Sequence, residues 1–149
     1  MKVLPIHCHQ RLEENTLVKD FSISGNGYEI LLDFKDKNLS FFYDHDIDHI
    51  AGMVEVSALR QCGLVIAHLG CNIPMDWIVT IRNINVDMVD YADKDKESKV
   101  FSTADLIVKR NKYKEIFLRG GLLQDDKYKV RMTGTIICME PKFAKRIRG

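Results

Sequence analysis

The chain has no excess of either charge: 22 Lys and Arg nearly balance 21 Asp and Glu, a formal net charge of +1. Bulk electrostatics therefore supplies no attraction to nucleic acid or to an anionic membrane surface. No apolar run approaches the roughly 18 residues that span a bilayer, which excludes a membrane-crossing helix by pattern. The opening residues, Met1-Lys2-Val3-Leu4-Pro5, carry no apolar signal segment. The four cysteines, Cys8, Cys62, Cys71 and Cys138, form no C-x-x-C pair. That pattern argues against a disulfide framework and fits reduced thiols, so a cytoplasmic location is expected. No repeat, linker or low-complexity stretch divides the chain. At 149 residues, 46% hydrophobic and 29% charged, it reads as one domain, 1–149, around one core.

What is present is a strand-rich pattern interrupted once. Residues 1–16 carry little periodicity and read as an irregular lead-in. Val18, Phe21 and Ile23 then lead to Ser24-Gly25-Asn26-Gly27, a strong hairpin turn. Tyr28, Ile30, Leu32 and Phe34 follow with period two. After Pro74, Trp77, Val79 and Ile81 alternate, and Ile84, Val86 and Met88 continue in the opposite phase, which predicts a bulge near Arg82-Asn83. Further strands are expected over Val100 to Val108, Tyr113 to Arg119 and Tyr128 to Cys138. In the last of these, Lys129, Arg131, Thr133 and Thr135 occupy the second face. Residues 140–149 read as a basic, solvated tail.

The interruption is an apolar segment, expected to be helical from an N-cap at Asp48 to a C′ glycine at Gly70. It is apolar nearly all round, so it should be buried on most sides, and Gly63 within it suggests close approach of another backbone. One helix among many strands predicts an α+β fold, an antiparallel sheet wrapped around one long apolar helix. Within that helix Arg60 and Gln61 stand side by side. Burying either costs several kcal/mol unless it is paired or hydrogen-bonded, so the helix reads as the wall of a polar site.

Before the helix come two Asp-His pairs, Asp44-His45 and Asp48-His49, then Gly52-Met53, Ser57-Ala58 and Arg60-Gln61. This spacing resembles the A-factor biosynthesis (AfsA-like) hotdog family, whose pattern runs D-H-x-x-D-H-x-x-G-M-x-x-x-E-A-x-R-Q. The specific likeness covers residues 17 to 70, while 74 to 139 agree as a strand pattern. One specified position differs: Ser57 stands where the family has glutamate.

The resemblance implies a hotdog fold, usually paired so that two sheets become continuous: a homodimer, or a pairing with a second hotdog chain. It implies an enzyme acting on acyl thioesters, most simply an acyltransferase of γ-butyrolactone-type signal or secondary-metabolite biosynthesis, with thioester hydrolysis and dehydration as alternatives. The substrate would be acyl-CoA or acyl-carrier-protein, with no resident cofactor and no nucleic-acid or membrane partner. Loss of the carboxylate at Ser57 leaves open a domain that binds an acyl ligand without turning it over.

Each candidate residue has two readings. His45 and His49 titrate near neutrality and suit proton transfer, with Asp44, Asp46 and Asp48 able to orient a ring; alternatively Asp48 caps the helix and a histidine fills a polar core position. A zinc site on His45 and His49 requires both on one helix face, and a helix beginning at Asp48 leaves His45 outside it. His7-Cys8-His9 is a second superficial metal signal, and the reading carried forward has no metal. Arg60 could hold a phosphate or developing oxyanion, or pair with Asp105 or with Glu55 of another copy. Gln61 could meet a thioester carbonyl or satisfy backbone. Ser57 as a nucleophile lacks an adjacent base. Gly52 is the expected oxyanion donor. Catalytic expectations thus fall on His45, His49 and Arg60, and substrate binding on Gly52, Met53, Ser57 and Gln61.

Overall fold

A computed structural model of the chain describes residues 1–10, 15–34, 50 and 52–148. Strand β1 (Val18–Ser24) turns through Gly25 and Asn26 into β2 (Gly27–Leu32). Gly25 lies at φ +58°, a left-handed conformation that glycine adopts without steric cost, and the expected hairpin is the one observed. Helix α1 (Gly52–Val65) continues into one wider π-type turn, Ile66–Gly70. Strands β3 (Ile78–Met88), β4 (Lys99–Lys109), β5 (Tyr113–Gln124) and β6 (Lys127–Met139) follow, and helix α2 (Pro141–Arg148) closes the chain. The strands form one antiparallel sheet in the order β1-β2-β4-β5-β6-β3. The fold is the hotdog: a single sheet with α1 packed across one face.

Register explains which side chains meet the helix. On β3 the pairing with β6 slips between Ile81 and Asn83. That bulge brings Val79 and Ile81, opposite Cys138 and Ile136, onto the same face as Ile84, Val86 and Met88, opposite Gly134, Met132 and Val130. The phase change in the sequence is therefore an added residue, and the apolar face is continuous through it. Ile30, Leu59, Ile66, Ile116 and Leu122 are fully buried between helix and sheet, each contributing about 1.5–3 kcal/mol by leaving water.

Several expectations need correction. Gly63 admits side chains and not a second backbone: a Cβ there would stand 3.1 Å from Ile136 Cδ1 and 3.4 Å from Leu118 Cδ1. Gly70 is not a left-handed cap, since Gly25 alone among the described glycines has positive φ. Its small size makes room for the Tyr28 ring, whose Cζ a Cβ would meet at 2.8 Å, and the Tyr28 hydroxyl donates to the Gly70 carbonyl at 3.2 Å. The lead-in is ordered in its described part. Pro5–Cys8 form a short 3-10 turn, and Val3 N–H donates to the Lys19 carbonyl at 3.0 Å. The basic tail is helical. Ala144 of α2 is buried, and the Phe143 ring meets Tyr113 edge-on at 6.3 Å. The helix start expected at Asp48 lies outside the described residues.

The interior polar groups are anchored. Gln124 accepts from Asp93 N–H at 2.8 Å and donates to the Asp93 carbonyl at 2.7 Å and Ser98 Oγ at 2.8 Å, fixing the loop between β3 and β4. Cys8, Cys62 and Cys138 are buried free thiols, and Cys71 is half-buried and free. Burial pushes the Cys138 thiol up to about 12, far from thiolate chemistry.

Candidate functional site

Helix α1 is buried on all sides but one. Val54, Glu55, Ala58, Leu59, Gln61, Cys62, Gly63, Leu64 and Val65 are buried, Gly52, Met53 and Arg60 are exposed, and Val56 and Ser57 are half-buried. At ~100° per residue, Met53, Val56, Ser57 and Arg60 fall on one stripe, with Gly52 at its edge. The stripe looks over β3. A Cβ on Gly52 would meet Met88 Cε at 3.4 Å, and Arg60 lines a narrow cleft with Leu59, Gly63, Ile81, Asn83 and Ile84. That cleft holds about 20 Å³, roughly the room of one water and too little for an acyl chain. Among the described residues β3 pairs only with β6, and Ile84, Met88 and Met53 expose apolar surface beside its other edge.

Arg60 and Gln61, adjacent in sequence, part company. Arg60 points to the open stripe and has no ion-pair partner among the described residues. Asp105 pairs in register with Phe117 on the sheet face away from α1, so it is no partner for Arg60 within this copy. Gln61 is buried, and both ends of its amide are occupied. Leu17 N–H donates to its Oε1 at 2.8 Å, and its Nε2 donates to the Asn15 carbonyl at 2.8 Å. The glutamine thus ties the lead-in to the helix across 44 residues of sequence. Glu55, two residues before Ser57, is buried on another side of the helix and already engaged there. The open stripe accordingly carries a hydroxyl, a guanidinium and a backbone, and no carboxylate. His45 and His49, with Asp44, Asp46 and Asp48, lie outside the described residues.

The three neighbours His7, Cys8 and His9 turn to different partners. His7 Nδ1 accepts from Leu4 N–H at 3.1 Å, Cys8 Sγ donates to the Pro5 carbonyl at 3.4 Å, and His9 Nε2 lies 2.8 Å from His68 Nε2. Among the described residues no group of three or more His, Cys, Asp or Glu is placed to hold a metal ion. Burial, then the neighbouring His68 and Arg60, hold the His9 imidazole below its usual value, and burial followed by His68 lowers His7. The His9–His68 pair is a feature the sequence reading missed, since nothing local links residues 59 apart. A second is the hollow on the sheet face away from α1, lined by Arg119 and Arg131. Its signals were the Arg119-Gly120-Gly121 run and the polar second face of β6.

The A-factor biosynthesis hotdog domain family matches residues 2–140. The chain belongs to this family. No curated protein matches it by sequence. Among solved structures it is similar to the ApeI:P dehydratase heterocomplex from Xenorhabdus doucetiae, at 12% identity and a TM-score of 0.68, covering 99% of each chain. It is also similar to a thioesterase from Haemophilus influenzae, at 11% identity and 0.62, covering 87% of this chain and 84% of the other. A thioesterase from Pseudomonas aeruginosa, carrying a point substitution, gives 13% and 0.56, with coverages of 82% and 81%. At these identities the structures support the hotdog fold alone. Among the described residues, no helix of this family member is long and apolar enough to cross a membrane.

Proposed function

We propose that this hotdog domain is an acyltransferase that takes its acyl group from a thioester, carried on coenzyme A or on the phosphopantetheine of a carrier protein. The observation that supports this best is the single open stripe of α1, Gly52-Met53-Ser57-Arg60, set within the family motif and facing β3. In this reading the acceptor's hydroxyl oxygen attacks the thioester carbonyl carbon and the C–S bond breaks. The hydroxyl proton passes to His45 or His49 and then to the departing thiolate, which leaves as the free thiol. The Gly52 backbone polarises the carbonyl, Arg60 steadies a phosphate on the acceptor, and Met53 and Ser57 line the acyl path.

The cleft beside Arg60 is too small for substrate within one copy, which supports a site completed by pairing. A second copy, or a second hotdog chain, added at β3 would extend the sheet and cover Ile84, Met88 and Met53. The heterocomplex among the structural relatives is consistent with either arrangement.

A second reading, an acyl-binding domain without turnover, is favoured by one observation, the absence of a carboxylate on the stripe where Ser57 stands. Thioester hydrolysis and dehydration are activities of the structural relatives, and dehydration is the harder of the two without that carboxylate. Mass spectrometry of the protein incubated with β-ketoacyl thioesters, with and without dihydroxyacetone phosphate, separates these readings. A phosphorylated ester formed only with the acceptor supports acyl transfer. Free acid regardless of acceptor moves the assignment to a thioesterase. Absence of product, with a ligand-dependent rise in melting temperature, means a binding domain.

A further inference from the structure

The sheet face turned away from α1 carries a hollow of about 500 Å³, reaching across β3, β4, β5 and β6. Register sets its walls as two rows across those strands. One row is Thr103, Arg119, Thr133 and Asn85, and the next is Phe101, Gly121, Arg131 and Asp87. Gly121 leaves the middle of the second row without a side chain, and the Tyr128 ring leans over the space, its Cδ1 3.0 Å from where a Cβ would stand. Arg119 and Arg131, diagonal neighbours on β5 and β6, both line the hollow. Each is held over a ring: Arg131 lies 4.8 Å from the Tyr128 centroid and Arg119 lies 5.6 Å from that of Phe117. Neither has an ion-pair partner among the described residues, although Asp87 pairs in register with Arg131.

We infer that this hollow binds a nucleoside phosphate, at a place distinct from the α1 stripe. Guanidinium forks lining the hollow suit a phosphate, which accepts bidentate pairs. Phe101 and Tyr128 offer aromatic surface for a planar base. Asp87 and Asn85, at the far end of the rows, can accept and donate to the sugar hydroxyls. The volume lies within the ~300–1,000 Å³ range of small-ligand sites. An inorganic anion would leave the aromatic wall unused, and a purely aromatic ligand would leave both arginines without a counter-charge.

The test is calorimetric titration of the full chain with ADP, adenosine and inorganic phosphate, repeated on the double variant Arg119→Ala/Arg131→Ala. Both arginines are exposed, and the variant's melting temperature without ligand checks its fold. Saturable ADP binding at one per chain is expected, tighter than adenosine or phosphate, and weakened at least ~10-fold by the double variant. ADP should bind equally to protein saturated with a short N-acetylcysteamine acyl thioester, which lacks any nucleotide. No saturable ADP binding, binding equal in wild type and variant, phosphate binding as tightly as ADP, or ADP displaced by the thioester would each overturn the inference. So would a change in oligomer mass in the variant with ADP affinity intact, which would make this face a contact between copies.

Discussion

The Nε2 atoms of His9 and His68 lie 2.8 Å apart, and Nδ1 of His68 lies 2.8 Å from the carbonyl oxygen of Ile73. A carbonyl only accepts, so Nδ1 of His68 carries the hydrogen and its Nε2 accepts from His9. The lead-in is thereby fastened to the end of the helix ring to ring. With its folded pKa held below 6.5, His9 takes up a proton more readily in the unfolded chain. Stability is full above the unfolded value and falls as pH drops through 6.5 toward the lowered folded value. Urea midpoints should therefore fall between about pH 7.5 and pH 5.5 in the native sequence. His9→Asn should flatten that slope, leaving the share from His7. Asparagine tolerates the left-handed conformation of this position, φ 55°. An equal slope in the variant would place the titration elsewhere.

Gln61 should behave as an anchor of the lead-in. Replacing it by leucine keeps the volume and strands the Leu17 N–H and the Asn15 carbonyl, each unsatisfied group costing ~1–3 kcal/mol. Gln61→Leu should therefore lose about 2–4 kcal/mol in urea unfolding and raise amide exchange at Leu17. A loss under ~0.5 kcal/mol would show that the bonds are replaced by water.

Much of this fold was legible because its signals are local. The Gly25-Asn26 turn, the period-two run from Tyr28 and the phase change at Arg82 each lie within a few residues of the structure they specify. The helix, too, declared its burial by composition. What could not be read depends on partners far apart in the chain. Arg60 and Gln61 look alike as polar intrusions, and only the position of the lead-in decides that Gln61 turns inward while Arg60 stays out. β5 runs on to Gln124 because Gly120 and Gly121 fit backbone that a pattern of side chains cannot reveal. Basic residues concealed α2, whose cohesion comes from Phe143 on Tyr113 and from buried Ala144. Of the candidate site, the stripe was legible as a motif, and its direction was not.

The glycines should divide by what surrounds them. At Gly63 the nearest atoms are ends of flexible side chains, Ile136 Cδ1 and Leu118 Cδ1. Alanine there also gains about 0.5–1 kcal/mol of helix preference, so Gly63→Ala should fall within ~1 kcal/mol of neutral and Gly63→Val should cost about 1–3 kcal/mol. At Gly120 a Cβ would stand 1.9 Å from the Phe101 carbonyl oxygen, and at Gly121 2.0 Å from that of Val130. Backbone cannot yield like a methyl, so either alanine should prevent soluble folding. Circular dichroism melts of the set check the contrast.

The edge of β3 away from β6 should be an assembly surface. Ile84 is 36% exposed and Met88 47% exposed on the helix-facing side of that strand. Ile84→Lys puts a charge where a paired sheet would bury it, a change that costs the isolated chain about 1–2 kcal/mol of lost burial and opposes association more strongly. Light scattering should show the native chain at twice its 17.2 kDa mass, or partnered, and the variant at that mass. Turnover should disappear with the dimer if the stripe is completed by a second copy. A native chain that is monomeric alone and active alone would remove pairing from the mechanism.

His45 and His49 carry the proton in the proposed transfer, and the two need not contribute equally. General acid–base catalysis contributes typically 10²–10⁴-fold, so alanine at the working histidine should lower kcat by roughly that factor with KM little changed. The other should cost less than about tenfold. The same assay run against pH should lose activity on the acid side as the working imidazole becomes protonated. Arg60→Ala should act differently, raising KM for a phosphorylated acceptor and leaving turnover with a neutral acceptor unchanged, because the guanidinium meets the phosphate and not the reacting carbonyl. If both histidine variants retain full turnover, proton transfer belongs to another group, and the motif's value lies in shaping the approach to Gly52.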